Sequence, residues 1–175
     1  MEGEIIGFIY ENPQLKKIIF SCWTFATVSI LEAHYNLKTK KSLKLSEQSL
    51  VDCCSYGCSG GLPSIAFDYI KANGIASSSY TAYNGVVGKC SSFKKSPINL
   101  TGYKNVTSND ENLLKKQVAK GPVVAAIDFS LDSFMFYSGG IYYDPKCSSE
   151  LVNHAVVVTG YGTENGTDFW WIRNS

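Results

Sequence analysis

The run KKIIFSCWTFATVSILEAHY, residues 16–35, contains the segment that decides the fold. From Cys22 to about residue 36, apolar side chains recur at helical spacing without Gly or Pro, which predicts an α-helix. Ser21 precedes that helix and is a suitable N-cap. Cys22 would lie in the first helical turn, where unpaired N–H groups and the helix dipole favour an anion and lower a thiol pKa. Cys22 is therefore either a buried filler or a nucleophile.

Composition places the chain among folded, enzyme-like proteins. Its 175 residues suffice for one domain, or for one compact unit of two lobes. Apolar residues make up 45% and aromatic residues 13% of the chain, which argues against disorder. Sixteen basic residues nearly balance 15 acidic ones, so no charge pattern favours nucleic acid or an anionic membrane surface as a partner. No apolar stretch is long enough to cross a bilayer.

The pattern of elements predicts a helical half followed by a sheet half. Three more helices are expected, each with a cap or a stop signal: 45–52 with Ser46 as its cap, 63–74 from Pro63 to Gly74, and 109–121. Five β-rich runs are expected to form strands: INLTGYKNV (98–106), GPVVAAIDF (121–129), GGIYYD (139–144), NHAVVVTGYG (153–162) and DFWWIRN (168–174). This order predicts an α+β fold of two lobes, with a cleft between them as the natural place for a site.

Two histidines and one asparagine are the possible partners of the thiol. His34 lies near the end of the first helix and is interpreted as a surface or internally satisfied structural residue. His154 lies at the entrance of an apolar strand, where a polar ring is a poor core filler. Asn174 ends another apolar strand and can accept the imidazole N–H; a neutral amide suffices when Cys and His form an ion pair. Cys22, His154 and Asn174 are therefore the candidate catalytic residues.

With these residues the chain resembles the papain-like (C1 family) cysteine peptidases, and among them the cathepsin L-like members. LSEQSLVDC, GCSGGLPSIAFDYI, GPVVAAID, FYSGGIYYDPKC, NHAVVVTGYG and WWIRNS follow in family order over residues 21–175. The resemblance implies the two-lobed papain-like fold, with a helical left lobe and a β-barrel-like right lobe. It also implies a cysteine-type endopeptidase that works through a thioester. Cys22 would be the nucleophile, His154 the general acid and base, and Asn174 the orienting amide.

The resemblance also assigns residues to the substrate site. Gly60 and Gly61 would offer backbone groups that pair with an extended peptide. Apolar residues occupy the family positions of the S2 pocket, which implies a hydrophobic P2 side chain: Leu62, Pro63, Ala126 and Val152. Plain core packing is the alternative for those four. The implied partners are a peptide or protein substrate and cystatin-like inhibitors, with a monomeric chain and neither metal nor other cofactor.

Six cysteines set the expected covalent chemistry. By the resemblance, Cys53 pairs with Cys90. Ile19 replaces the cysteine that usually pairs with Cys58, so Cys58 is expected to be unpaired or bonded to Cys54. A competing interpretation is a small zinc domain built from the following residues, although their spacing is unlike that of common zinc sites: Cys53, Cys54, Cys58 and His154.

Both ends depart from the family pattern. Lys16 stands where the family has its oxyanion-hole glutamine, Gln14 lies two residues too early, and Phe20 replaces a glycine. The family partner of Cys147 would lie beyond residue 175. The predicted organisation is a divergent N-terminal segment, a helical left lobe with the nucleophile helix, and a β-rich right lobe lacking its C-terminal strands, in the ranges 1–20, 21–100 and 101–175.

These departures leave a second function open, a catalytically impaired homologue or fragment that binds peptides or inhibitors. The family implies a lysosomal or extracellular protein. The first residues do not resemble a signal peptide. Six cysteines and three glycosylation acceptor sites nevertheless favour an oxidising, secretory compartment and a glycoprotein: Asn99, Asn105 and Asn165.

Overall fold

The computed structural model describes residues 5–10, 21–54, 57–80 and 82–175, with the backbone alone for 5–10. After a first strand, three helices precede the remaining strands, in keeping with the α+β prediction. In chain order the elements are β1 (Ile5–Tyr10), α1 (Cys22–Thr39), α2 (Glu47–Cys53), α3 (Pro63–Asn73), β2 (Leu100–Asn105), α4 (Glu111–Val118), β3 (Val123–Ile127), α5 (Asp132–Met135), β4 (His154–Glu164) and β5 (Thr167–Arg173). No helix within these ranges is long and apolar enough to span a membrane.

The predicted helix signals define the helix ends with one exception. The Ser46 hydroxyl accepts the Ser49 N–H at 3.1 Å, so α2 is capped as expected. Pro63 begins α3, and Gly74 stops it with φ at +79°. The exception is Ser21, which occupies the N-cap position of α1 but makes no capping bond with its side chain.

The five strands in the described part of the chain form one open sheet in the order β2-β1-β3-β4-β5. β1 is parallel to both of its neighbours, and the β3–β4 and β4–β5 pairs are antiparallel. The strand at Ile5–Tyr10 lies inside the divergent segment and was not predicted. In the strand register, His154 of β4 pairs with Ile127 of β3, and Arg173 of β5 pairs with Val157 of β4. This pairing brings the start of β4 close to the end of β5.

Strand alternation divides the core into two clusters, because successive side chains point to opposite faces of a sheet. One cluster contains the buried faces of α1, α2 and α3, with Trp23, Leu50 and Phe67 fully buried, and takes every second sheet residue: Val124, Ala155 and Val157. The other packs α4 against the opposite face through Val123, Ala125, Val156 and Val158. The helical half therefore packs directly on the strand that carries His154.

The prediction of a strand at GGIYYD was wrong. Residues 139–144 form no strand, Gly140 has φ at +84°, and Tyr143 is 83% exposed. A strand needs a neighbouring strand and a buried face, and this run has neither among the described residues. The short helix α5 was not predicted either. The departures at Gln14, Lys16, Ile19 and Phe20 lie outside the described residues.

Candidate active site

The Cys22 sulfur lies between the first turn of α1 and the start of β4. Cys22 is 7% exposed. Three backbone N–H groups near the sulfur, those of Ala155, Trp23 and Cys22 itself, act to lower the pKa of its thiol. Ala155 follows His154 directly, and consecutive Cα atoms are about 3.8 Å apart. The Ala155 N–H therefore links the thiol to the strand entrance that carries the imidazole.

Two opposing effects act on the acidity of this thiol. Burial raises the pKa of the Cys22 thiol, because the thiolate loses its hydration. Hydrogen bonds from the three backbone N–H groups favour the thiolate and lower the pKa. Burial is the larger effect, so the pKa is raised, opposite to the direction expected from the helix N-terminus alone.

His154 and Asn174 meet at the adjoining ends of β4 and β5. The Nε2 atom of His154 lies 2.6 Å from the Oδ1 atom of Asn174. Since an amide oxygen can only accept, the imidazole N–H must be on Nε2. That tautomer leaves Nδ1 as the ring nitrogen able to exchange a proton with a thiol.

Phe129 completes the surroundings of His154 and was not predicted. Its ring centroid lies 4.7 Å from the imidazole centroid. The backbone N–H of Phe129 donates to the Asn153 side chain at 2.7 Å, and the N–H of Asn153 donates to the Ile127 carbonyl at 2.9 Å. These bonds fix the chain on both sides of the ring. The sequence signal was an aromatic residue at the end of the predicted strand run 121–129.

The two glycines predicted to bind substrate backbone lie beside the nucleophile helix. Gly60 is buried and has φ at +88°, a conformation that favours glycine. A Cβ atom on Gly61 would stand 2.8 Å from the indole of Trp23, the residue after Cys22. Gly61 therefore allows the loop to pass closely over the indole.

Two of the four predicted S2 residues line one described cavity. Ala126 and Val152 line a cavity of about 300 Å³ together with Phe134 and other residues of the 108–149 region. Leu62 and Pro63 lie instead at the N-terminal end of α3, where Pro63 is buried and Leu62 packs against the helical core. The assignment of all four to one pocket stays a prediction.

The predicted disulfide is confirmed, since Cys53 and Cys90 are bonded with an S–S distance of 2.14 Å. Because the Cys53 sulfur is bonded to Cys90, Cys53 cannot be a ligand in the zinc site considered as an alternative. The Cys58 thiol donates to the Gly85 carbonyl at 3.1 Å, so the alternative bridge to Cys54 is not formed.

His34 has the structural environment expected of it. Its Nε2 atom lies 3.0 Å from the Pro122 carbonyl, which is the acceptor for the ring N–H. Burial lowers the pKa of this imidazole, and the carbonyl partly opposes that effect. His34 therefore lies between α1 and the chain entering β3, away from the His154 and Asn174 pair.

Comparison with known proteins defines the class as papain-like. The family model "Papain family cysteine protease" matches residues 20–175. The chain is 45% identical over 161 residues to the KDEL-tailed cysteine endopeptidase CEP2 of Arabidopsis thaliana, covering 89% of this chain and 44% of that protein. It is 44% identical over 160 residues to cathepsin K of Mus musculus, covering 89% and 49%.

The fold shows the same relationship. Digestive procathepsin L 3 from the larval midgut of Tenebrio molitor superposes with a TM-score of 0.81 at 37% identity, covering 92% of this chain and 56% of that chain. The chain therefore belongs to the papain family of cysteine proteases. It spans about half the length of the curated relatives it matches.

Proposed function

We propose that this chain carries the catalytic residues of a papain-like cysteine endopeptidase. The observation that carries the proposal is the 2.6 Å contact between His154 Nε2 and Asn174 Oδ1. It holds the imidazole in the tautomer that leaves Nδ1 available to a neighbouring thiol. The effect of the Ala155 N–H on the Cys22 thiol supports the same pairing, because Ala155 directly follows His154.

The chemistry would proceed in two steps. In the first, Cys22 passes its proton to His154, the sulfur attacks the peptide carbonyl carbon, and His154 protonates the leaving amine as the C–N bond breaks. In the second, His154 accepts a proton from water, which attacks the thioester and releases the acid and the free thiol. The backbone N–H of Cys22 is the available donor to the oxyanion formed in each step.

Labelling with a cysteine-directed epoxide tests this proposal, with the modified residue identified by mass spectrometry. Reaction should concentrate on Cys22 and fall to the level of the denatured chain in His154→Ala. The exposed Cys147 serves as an internal control, since its labelling should not respond to His154→Ala. Equal labelling of Cys22 in the native and denatured chains would refute the proposal.

A second candidate function is a non-catalytic homologue that binds peptides or inhibitors. The observation that favours it is the burial of Cys22, which raises the pKa of its thiol and disfavours the thiolate. This candidate predicts saturable binding of a cystatin-like inhibitor without epoxide labelling of Cys22. The enzyme proposal predicts both binding and labelling, so the two measurements on one sample distinguish them.

For the substrate we propose a hydrophobic side chain at P2. Ala126 and Val152 support this, because both line the cavity of about 300 Å³ beside the start of β4. Leu62 and Pro63 would contribute from α3, and Gly60 and Gly61 would pair with the peptide backbone. Peptides with Leu at P2 should be cleaved at least about tenfold faster than peptides with Glu at P2. Ala126→Phe should reduce that preference by filling the cavity, and equal rates in the parent chain would refute it.

We further propose a monomer that acts in a lysosomal or extracellular compartment. The Cys53–Cys90 disulfide supports an oxidising environment. Asn99, Asn105 and Asn165 are all exposed, so each acceptor site is accessible to glycosylation. Expression through a secretory host should yield a product whose mass falls on glycosidase treatment, and an unchanged mass would count against the glycoprotein assignment. Light scattering would test the monomer.

A further inference from the structure

The Ser21 hydroxyl does not cap the helix that it precedes. Ser21 has φ at −94° and ψ at 12°, outside the extended range that N-cap residues usually adopt, and its side chain accepts no bond from the first turn of α1. Its Oγ atom is instead hydrogen-bonded to the phenolic hydroxyl of Tyr83, 62 residues later in the chain. Tyr83 therefore holds the side chain next to Cys22.

The Tyr83 side chain is fixed by α1 and by the buried amide of Gln48. The Tyr83 ring packs edge-on against Phe25, with centroids 4.8 Å apart at 77°. Gln48, 1% exposed, accepts the Asn84 N–H at 3.0 Å and donates to the Val86 carbonyl at 2.8 Å. The residues following Tyr83 are thus bound to α2 through one buried amide.

Two more links continue the attachment of this loop. The N–H of Gly88 donates to Asp52 at 2.8 Å, and Cys90 is bonded covalently to Cys53. Residues 83–90 are therefore fixed along the whole of α2. Because α1 and α2 share one core cluster, this attachment gives Tyr83 a defined position over Ser21.

The position matters because of how the first-turn N–H groups of α1 are used. A free Ser hydroxyl at the N-cap accepts the N–H of the second or third helical residue, here Trp23 or Thr24. Thr24 already donates to the Ser21 carbonyl at 2.9 Å. The N–H of Trp23 donates no capping bond to the Ser21 side chain and lies near enough to the Cys22 sulfur to lower the pKa of that thiol. A released Ser21 hydroxyl would therefore compete with that sulfur for the Trp23 N–H.

We propose that Tyr83 is a positioning residue for the nucleophile: by holding the Ser21 hydroxyl, it keeps the Trp23 N–H directed at the Cys22 sulfur. The inference concerns the reactivity of the thiol and can be measured without a peptide substrate. Only its consequence for peptide cleavage rests on the proposed function.

The test is a double-mutant cycle on Tyr83 and Ser21. Alkylation of Cys22 by iodoacetamide is followed against pH, with the Cys22 peptide quantified by mass spectrometry so that other thiols do not contribute. Tyr83→Phe keeps the ring and removes the hydroxyl. It should slow alkylation at pH 7 about five- to tenfold and move the alkylation curve to higher pH, since the thiolate loses a hydrogen bond.

Repeating the Tyr83→Phe substitution in a Ser21→Ala background distinguishes an effect through the Ser21 hydroxyl from a general loss of packing. In Ser21→Ala no hydroxyl is left to compete, so Tyr83→Phe should cause no further slowing. The matched control is Tyr80→Phe, which removes a hydroxyl that accepts the Ser91 N–H at 3.2 Å, and it should react like the parent chain. An equal loss in both Ser21 backgrounds would overturn the proposal, as would an unchanged rate in Tyr83→Phe.

A peptidase assay adds a second, separable readout. If the chain cleaves peptides, Tyr83→Phe should lower kcat by about the same factor as the alkylation rate and leave KM within about twofold. If the parent chain is inactive on every peptide, the proposed function fails while the alkylation cycle still decides the role of Tyr83.

Discussion

The Nε2 atom of His154 lies 2.6 Å from the Oδ1 atom of Asn174, across the ends of two antiparallel strands. The two residues lie on either side of a hairpin of 11 and seven residues, so strand pairing brings them together. The contact selects one tautomer of the imidazole. This relationship makes Asn174 the first residue at which the proposed mechanism can be probed.

Asn174→Ala should lower kcat by about 10- to 100-fold, within the range that general acid–base catalysis contributes. The reason is that Nε2 would lose its acceptor and the ring would sample the wrong tautomer. KM should stay within about threefold. The measurement is steady-state kinetics on a peptide with Leu at P2. Asn165→Ala, on an exposed turn, is the control, and equal losses in both variants would argue against an orienting role.

Gly61→Ala should destabilise the fold by about 1–3 kcal/mol, because the new methyl group would overlap the buried indole of Trp23. The matched control is Gly102→Ala, since a Cβ there meets no atom within 4 Å. That change should stay within about 0.5 kcal/mol of the parent. Urea unfolding of both variants measures the difference, and similar midpoints would contradict the contact.

Loss of the Cys53–Cys90 disulfide should cost about 3–4 kcal/mol, because the bond closes a loop over a sequence separation of 37. Cys53→Ser and the double variant Cys53→Ser/Cys90→Ser should be destabilised alike. Cys147→Ser, at an exposed thiol, serves as the control for serine substitution. A loss below about 1 kcal/mol would show that the bond contributes little to stability.

The buried His34 should make stability depend on pH. Its folded-state pKa lies below the ordinary value of 6.5, so the unfolded chain binds this proton more readily than the folded chain. The free energy of unfolding should therefore fall as pH drops below 6.5, by at most about 1.4 kcal/mol per pH unit from this group.

His34→Gln keeps a donor for the Pro122 carbonyl and removes the titration. The slope between pH 7 and 5 should be shallower in this variant, as measured by urea unfolding at each pH. Glu47 contributes a slope of opposite sign, because burial raises the pKa of its carboxyl, but that slope is common to both proteins. Identical slopes in the parent chain and the variant would show that His34 does not titrate differently on folding.

Local signals in the chain predicted most of the helices, because caps and stops act within a few residues. Ser46, Pro63 and Gly74 were identified in this way. The strand at GGIYYD was wrongly predicted because an aromatic, β-branched run fits a strand only where a neighbour pairs with it. β1 was missed for the converse reason, since its partners β2 and β3 lie about 100 residues away in the chain.

The sequence by itself determined the family, the candidates Cys22, His154 and Asn174, and the pairing of Cys53 with Cys90, because ordered motif blocks survive in the printed residues. Only the tertiary structure decided the balance of effects on the Cys22 thiol, where desolvation exceeds the hydrogen bonds from the backbone. It also decided that the Ser21 hydroxyl bonds to Tyr83 and does not cap α1. That contact depends on a loop fixed to α2 by Gln48, Asp52 and a disulfide, and such long-range hydrogen bonding leaves no periodic trace in a sequence.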